Sequence, residues 1–270
     1  MKKILFSDMD GTVIDGDQLI NQDDKLLLDK FSQMGNLVVF NTGRNFQEAQ
    51  NAIKQFNFYY DYLILNNGAQ IVDQSGNELF KKVIARDIGI EIIDHCLQFA
   101  NLWIYFYDGK KTLAYFQGNT YKYDDHGKLM ITNDDDFKKT YSKIKEFDII
   151  ALHQDDQQID DLLKIQAFLK ENYRYDVQGT LNNFYLDITP GNCSKGTGIK
   201  KLLDLLAEKM ISYAIGDSYN DISMFEYVDY GCTFNHVNNE IAKYANVQVT
   251  NVAKLITKIL EGGNKDELAR

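Results

Sequence analysis

Two aspartates directly follow the first short apolar segment of the chain, at a spacing that lets them act together. Asp8 and Asp10 come after the apolar residues 4–7, within the string Asp-Met-Asp-Gly-Thr. Residues two apart in an extended chain point to the same side, and carboxylates held close together repel each other unless a cation or a shared proton relieves them. By itself, the pattern fits two solvated turn residues before a glycine nearly as well as it fits a cation site.

A second pair of aspartates makes the cation site the better interpretation. Gly216 and then Asp217 follow the predicted strand 212–215, and Asp221 is four residues beyond Asp217, which is one turn of a starting helix. The alternative is an ordinary helix N-terminus, where acidic residues are common and stabilising. However, two parallel strands that both end in paired aspartates would form an oxygen-lined site of the kind that suits Mg²⁺.

Two cationic residues stand at the predicted starts of helices, where a positive charge is unfavourable. Arg44 follows Thr42 and Gly43, and Lys195 begins the helical pattern after Ser194. A cation at a helix N-terminus opposes the helix dipole at a cost of about 0.3–1 kcal/mol. A bound anion would reverse that cost, because helix N-termini bind phosphate well, and the Thr42 hydroxyl and the Gly43 N–H would add donors. The alternative for each cation is a surface residue tolerated at modest cost.

The elements that carry these residues have the rhythm of a parallel sheet with crossover helices. Near the start of the chain, residues 4–7, 37–40 and 62–65 are apolar enough for buried strands, and helical patterns cover 24–34 and 46–56. After residue 190 the rhythm returns, with helices 195–209, 221–227 and 251–261 and strands 211–215, 231–234 and 247–250. Both aspartate pairs therefore fall at the carboxyl ends of strands, where open α/β sheets bind their ligands.

The segment between these two parts predicts a separate α+β domain. Residues 103–107 and 112–116 alternate around Asp108-Gly109, which is a strong hairpin signal. Helices are predicted at 135–146 and 156–172, and strands at 149–152, 173–177 and 184–188. We therefore expect an α+β domain at 84–186, inserted into an α/β domain formed by 1–83 and 187–270. Gly191, next to the single proline Pro190, is the expected hinge.

Composition and charge exclude several classes of partner. The chain of 270 residues has 29 basic and 39 acidic side chains, a net charge of −10, which argues against nucleic-acid binding because that depends on basic residues. No apolar run approaches the ~20 residues that cross a bilayer. Three cysteines without a Cys-x-x-Cys pair indicate reduced thiols and a cytoplasmic location. A small phosphorylated metabolite remains compatible with all of this.

The motifs, taken in order, resemble those of the haloacid dehalogenase-like superfamily of phosphohydrolases. D-x-D-G-T comes first, then T-G-R after the second strand, then a lone lysine, then G-D-x-x-x-D. The chain is more narrowly similar to the Cof-type branch, and the similarity extends to Asn66-Asn67-Gly68-Ala69 and covers nearly the whole chain. The resemblance implies a Rossmann-like parallel-sheet core with an inserted α+β cap that selects the substrate.

The resemblance also implies a role for each residue of the motifs. Asp8 would attack phosphorus to form an aspartyl-phosphate, and Asp10 would act as general acid and then as general base. The implied ligands of Mg²⁺ are Asp8, Asp10 (through its carbonyl oxygen), Asp217 and, through ordered waters, Asp221. The implied phosphate-binding residues are Thr42, Gly43, Arg44, Lys195 and Asn220.

The predicted function is a Mg²⁺-dependent phosphohydrolase acting on small phosphate monoesters, with sugar phosphates as the family default. A phosphomutase would use the same covalent intermediate but retain it. A regulator that only binds a phosphometabolite is the non-enzymatic alternative, although such a protein would not require the nucleophile Asp8.

Overall fold

The computed structural model of the protein describes residues 1–123, 128–133, 136–154, 158–182 and 184–262. Its strands are β1 (Lys3–Ser7), β2 (Leu37–Asn41), β3 (Tyr62–Leu65), β4 (Gln70–Asp73), β5 (Glu78–Lys81), β6 (Ile84–Ala85), β7 (Leu102–Tyr107), β8 (Thr112–Phe116), β9 (Asn119–Tyr123), β10 (Leu129–Ile131), β11 (Glu146–Phe147), β12 (Ile149–Gln154), β13 (Val177–Asn182), β14 (Tyr185–Pro190), β15 (Ile211–Ile215), β16 (Tyr230–Phe234) and β17 (Val247–Val249). Its α-helices are α1 (Gln22–Gln33), α2 (Phe46–Phe56), α3 (Arg86–Cys96), α4 (Phe137–Tyr141), α5 (Asp160–Asn172), α6 (Lys195–Leu206), α7 (Ile222–Phe225), α8 (Asn239–Ala242) and α9 (Val252–Leu260).

The chain divides into two compact units. The first comprises Met1–Arg44, Ala52–Lys81 and Ser194–Arg270, and the second comprises Asn45–Asn51 and Lys82–Cys193. Within the described residues, no helix is both long enough and apolar enough to cross a membrane.

The first unit is built on an eight-stranded sheet in the order β17-β16-β15-β1-β2-β3-β4-β5. Strands β17 to β3 pair in parallel, which confirms the predicted parallel sheet, and β4 and β5 extend it in antiparallel fashion. In the centre, Ser7 of β1 is in register with Ile215 of β15 and with Phe40 of β2. The carboxyl ends of three neighbouring strands therefore lie together, and the predicted site residues follow these strand ends along the chain.

The second unit contains a seven-stranded antiparallel sheet in the order β10-β9-β8-β7-β12-β14-β13. The predicted hairpin is present as the antiparallel pair β7 and β8, and the Asp108 carboxylate accepts hydrogen bonds from the backbone N–H groups of Lys110 and Lys111 at its turn. This unit has its own apolar core, which includes Phe106, Phe147 and residues of α3 and α5.

Several predicted elements of the second unit were wrong in position or extent. The helix predicted at 135–146 is only α4, and the chain then forms the short strand β11, which pairs with β6; residue 135 lies outside the described part of the chain. The strand predicted at 173–177 is a turn, because the N–H groups of Tyr173 and Val177 bond to the carbonyls of Leu169 and Tyr173, and β13 begins only at Val177. Helix α3 was not predicted.

The connections between the two units fall close to, but not at, the predicted positions. The sequence places the boundaries at 83/84 and 186/187, whereas the compact units change at 44/45, 51/52, 81/82 and 193/194. Gly191 belongs to the second unit because its N–H donates to the Asp176 carbonyl (2.8 Å) and its carbonyl accepts from Lys82 Nζ. A side chain at Gly191 would also collide with the Tyr175 carbonyl. Gly191 is thus packed and hydrogen-bonded within the second unit, and its role as a hinge stays a prediction.

Candidate active site

Asp8 is fixed at the end of the central strand β1. Its N–H donates to the carbonyl of Ile215 (3.0 Å), which continues the ladder between β1 and β15 by one residue, and its exposed fraction is 3%. A tight turn follows, in which the Gly11 N–H donates to the Ile14 carbonyl (2.7 Å). Gly11 has a φ of +81°, and a Cβ there would lie 2.4 Å from Asp217 Oδ2. Only glycine therefore lets this turn approach Asp217 so closely.

The loop after β15 is organised by Asp221, which is completely buried. Its Oδ2 accepts hydrogen bonds from the N–H groups of Asp217 and Ser218, both at 2.9 Å, and from the Ser218 hydroxyl at 3.0 Å. These bonds fix the backbone that carries Asp217 next to the end of β1. Thr12 then donates to Asp217 Oδ1 at 3.2 Å, which ties this loop to the turn after β1. The structure therefore brings together three of the four predicted aspartates, Asp8, Asp217 and Asp221, whereas the Asp10 carboxylate pairs with Arg44.

Lys195 lies between Asp8 and Asp221 and is 2% exposed. Its ammonium donates to Asp8 Oδ1 at 2.6 Å and to Asp221 Oδ1 at 2.7 Å. Burial tends to lower the pKa of Lys195, but Asp221 and Asp8 more than offset this, and the pKa is raised above its usual value. The lysine therefore stays protonated, as a buried charge can when it is fully paired.

The site still has an excess of negative charge that suits a metal ion. Carboxylate oxygens of Asp8, Asp217 and Asp221 lie within 4.8 Å of one another. Burial, followed by the charge of Asp221, raises the pKa of Asp217 to about 6. Burial also raises the pKa of Asp8 well above its usual range, and Asp221 and Asp217 add to this while Lys195 opposes it. The charges of the three carboxylates exceed that of the single ammonium, and the carboxylates offer oxygen ligands. This combination fits a hard divalent cation such as Mg²⁺.

Thr42 and Arg44 follow β2 beside this cluster. Thr42 is 1% exposed, and its N–H donates to the Ile64 carbonyl (2.9 Å). Its hydroxyl oxygen accepts from the Arg44 N–H at 3.1 Å, and the half-buried Gly43 lies between them in the chain. The Arg44 side chain pairs with Asp10: Nε donates to Asp10 Oδ2 at 2.7 Å, and Nη2 donates to Asp10 Oδ1.

Sequence reasoning gave no role to the Asn-Asn-Gly turn after β3, yet this turn joins two loops of the site. The N–H of Asn67 donates to the Thr42 carbonyl (3.1 Å), and Asn67 Oδ1 accepts from Asn220 Nδ2 (3.3 Å). Asn66 and Asn67 are buried and have φ values of 51° and 50°. The signal was present, because asparagine and glycine are the residues that best tolerate this left-handed backbone.

Comparison with known proteins identifies a family that the chain matches. A family model described as haloacid dehalogenase-like hydrolase matches residues 5–254. An uncharacterised protein of Mycoplasma capricolum is 30% identical over 269 residues, covering 93% of this chain and 98% of that protein. A 5-amino-6-(5-phospho-D-ribitylamino)uracil phosphatase of Bacillus subtilis is 24% identical (83% and 84% covered), and an HMP-PP phosphatase of Serratia proteamaculans is 25% identical (86% and 83% covered).

Solved structures share the fold over nearly the whole chain. A HAD/Cof-like hydrolase of Plasmodium vivax superposes with a TM-score of 0.75 at 21% identity, covering 96% of each chain. A sugar phosphatase of HAD subclass IIB superposes with a TM-score of 0.72 at 16% identity, covering 96% of this chain and 98% of the other. Their similarity extends across both compact units.

Proposed function

Since the chain belongs to the haloacid dehalogenase-like hydrolase family, as a phosphatase of its Cof-type branch, we propose that it hydrolyses small phosphate monoesters in a Mg²⁺-dependent reaction. The observation that carries this proposal is the buried Lys195 ammonium held between Asp8 and Asp221. This arrangement supports the proposal because it brings a carboxylate suited to nucleophilic attack, a fixed positive charge and further carboxylate oxygens together at one strand end.

Asp8 is the proposed nucleophile. One of its carboxylate oxygens bonds to phosphorus as the ester oxygen leaves, and the product is an aspartyl-phosphate. Its position at the end of a paired strand keeps its backbone rigid, and Lys195 restricts the rotation of its carboxylate. Water then attacks the aspartyl-phosphate, which releases inorganic phosphate and restores Asp8.

Asp10 is the proposed general acid and base. It gives a proton to the leaving alkoxide in the first step and takes one from the attacking water in the second. Its side chain is much more exposed than that of Asp8, at 48% against 5%, which suits a group that must reach the leaving oxygen and the incoming water.

The remaining residues of the site hold the phosphoryl group. The Thr42 hydroxyl, the Gly43 N–H, the Arg44 guanidinium and Lys195 are the proposed donors, and Asn220, tied to Asn67, positions the loop beside them. Phosphoryl transfer depends mainly on such positioning and charge stabilisation. Mg²⁺ held by Asp8, the Asp10 carbonyl and Asp217, with Asp221 in support, would neutralise charge on the phosphoryl oxygens.

The proposed substrates are sugar phosphates or related phosphometabolites. The phosphatase relatives are named for small phosphorylated compounds, and one structural neighbour is a sugar phosphatase. We propose that the inserted domain predicted at 84–186 selects the group that leaves. We also place the activity in the cytoplasm, because all three cysteines are buried free thiols.

The direct test is release of inorganic phosphate from a panel of phosphorylated sugars and phosphorylated heterocyclic metabolites. We expect turnover with Mg²⁺, loss of turnover after treatment with a chelator, and recovery when Mg²⁺ is added back. Ca²⁺ should replace Mg²⁺ poorly because its bonds are longer and its geometry looser. Full activity after exhaustive chelation would refute the metal site, and an absence of phosphate release from the whole panel would refute the proposed substrate class.

A further inference from the structure

Arg44 and Asp10 form an ion pair with each other, although Arg44 is proposed to bind phosphate and Asp10 to act as general acid and base. Neither side chain can perform its proposed role while the pair is intact. Both Asp10 oxygens accept from the Arg44 guanidinium, one from Nε and the other from Nη2. In this state, the Asp10 oxygens are directed at Arg44 rather than at a leaving group. The fork of the Arg44 guanidinium is likewise occupied by a carboxylate rather than a phosphate.

This pair differs in burial from the other ion pairs of the site. The side chains of Arg44 and Asp10 are 20% and 48% exposed, whereas those of Lys195, Asp8 and Asp221 are 5% exposed or less. Exposed ion pairs contribute little net free energy because water competes for both partners, whereas breaking a buried pair is strongly unfavourable. The Arg44–Asp10 pair is therefore the one in this site that can be exchanged readily.

The backbone of Arg44, in contrast, is held beside the residue expected to bind phosphate. Its N–H donates to Thr42 Oγ1 (3.1 Å), and its carbonyl accepts from the N–H of Asn66 (3.1 Å). A phosphoryl group that reaches the Thr42 hydroxyl is thus within the range of the long Arg44 side chain. The planar guanidinium binds phosphate oxygens with the same two-pronged geometry that it uses for a carboxylate.

We propose that Arg44 is a latch on Asp10 that the phosphate of the substrate displaces. Before substrate binds, the guanidinium holds the Asp10 carboxylate away from its task. An incoming phosphate dianion takes over the guanidinium, so that the same event grips the substrate and releases Asp10 toward the leaving oxygen. This inference rests on the proposed roles of Asp10 and of the phosphate site, and it assigns Arg44 a positioning function in addition to its contact with phosphate.

The test is a double-mutant cycle on phosphate affinity rather than on turnover. The dissociation constant of inorganic phosphate is measured by calorimetry, with MgCl₂ present, for the wild type, Arg44→Ala, Asp10→Ala and the double variant. Removing Asp10 also removes a repulsive charge, and this effect is present with or without Arg44. If the latch exists, Asp10→Ala lowers the dissociation constant of phosphate by a further factor of about two to five when Arg44 is present. In the Arg44→Ala background, only the effect of the lost repulsion remains.

Arg44→Ala alone should weaken phosphate binding by about tenfold, the effect expected for one lost charged hydrogen-bonding partner. The Lys25–Asp29 pair of α1 provides the matched control because its exposure, 19% and 31%, is similar. Asp29→Ala should leave phosphate affinity unchanged, both in the presence of Lys25 and in the Lys25→Ala background. Should Arg44→Ala fail to fold, Arg44→Lys serves instead, and it should reduce the additional tightening because lysine lacks the fork.

Two outcomes would overturn the latch. An effect of Asp10→Ala that is equal with and without Arg44 would show that the two ligands of Arg44 do not compete. Unchanged phosphate affinity in Arg44→Ala would show that Arg44 does not bind phosphate and pairs only with Asp10. The cycle is read from binding, so it is independent of whether any tested phosphate ester is hydrolysed.

Discussion

Among single residues, Asp8 is the one whose replacement separates chemistry from folding. Asp8→Asn keeps the shape of the side chain and can still accept a hydrogen bond from Lys195, but an amide is a poor nucleophile. We expect kcat to fall by a factor on the order of 10⁴ or more, while the melting temperature stays within a few degrees of the wild type. Phosphate release and thermal unfolding are measured side by side, with Asp23→Asn, an exposed aspartate of α1, as the control. Near-normal turnover in Asp8→Asn would contradict covalent catalysis.

The sequence identified the charged residues of the site more completely than it identified their partners. Asp8, Asp217, Asp221 and Lys195 were predicted because aspartate pairs follow two strands and a cation begins a helix, and the structure brings these four side chains together. The pairing of Arg44 with Asp10 could not be predicted, since it depends on how two loops separated by 34 residues meet in space. Local sequence patterns predict the position of a residue on its strand or helix, whereas its contacts with distant residues depend on the tertiary structure.

At the scale of elements, the turn after β3 combines a left-handed backbone with a side chain that positions a loop of the site. Asn67→Gly keeps the left-handed backbone but loses the amide that holds Asn220. We expect KM for p-nitrophenyl phosphate to rise by about two- to tenfold, the value of one neutral hydrogen bond, with little change in stability. Asn57→Gly is the control, because Asn57 has a similar φ of 53° at the end of α2. If KM rises equally in both variants, or in neither, the positioning role of Asn67 is wrong.

Helix α9 depends on a carboxylate that α1 supplies. Asp24 is 5% exposed and accepts from the N–H of Ala253 at 2.6 Å, next to the N-cap Asn251, which accepts from Lys254. Burial raises the pKa of Asp24 above its ordinary value of 3.8, although the bonds from Ala253 and Val252 oppose this. The folded state therefore binds the proton more tightly than the unfolded state does.

The raised pKa of Asp24 determines the direction in which the free energy of unfolding changes with pH. A raised pKa in the folded state stabilises the protein below pH 3.8, and this contribution is lost as the pH rises through the folded-state pKa. The free energy of unfolding of the wild type relative to Asp24→Asn should therefore fall over that interval, by about 1.4 kcal/mol per pH unit of pKa difference. Urea denaturation of both proteins at several pH values measures it. Parallel pH curves, or a wild type that gains relative stability with rising pH, would contradict the prediction.

Elements of the first unit were easier to predict than those of the second. Buried parallel strands such as β1 and β3 are short continuous apolar runs, and their limits were found to within one residue. In the second unit, β13 contains Gln178 and Gly179, which carry no strand signal alone. It is a strand because it pairs with β14. The helix predicted at 195–209 ends at Leu206, because Ala207 takes a left-handed conformation.

At the scale of the whole molecule, the two compact units have separate apolar cores. The residues proposed to hold the metal and the phosphoryl group all belong to the first unit, since they lie within Met1–Arg44 and Ser194–Arg270. The single tryptophan, Trp103, is in β7 of the second unit. Its fluorescence therefore reports the unfolding of the second unit, whereas far-ultraviolet circular dichroism reports both.

This placement predicts that a phosphate analogue without a leaving group stabilises only one of the two units. Saturating Mg²⁺ and orthovanadate, at about 100 times the dissociation constant, would stabilise the first unit by about 2.7 kcal/mol. For a unit of ~150 residues, this corresponds to a rise in melting temperature of about 5–10 °C. The transition followed by circular dichroism should gain a component that moves upward by this amount, while the Trp103 fluorescence transition stays in place. A Trp103 transition that moves equally would show that the second unit unfolds together with the first or binds the phosphate analogue itself.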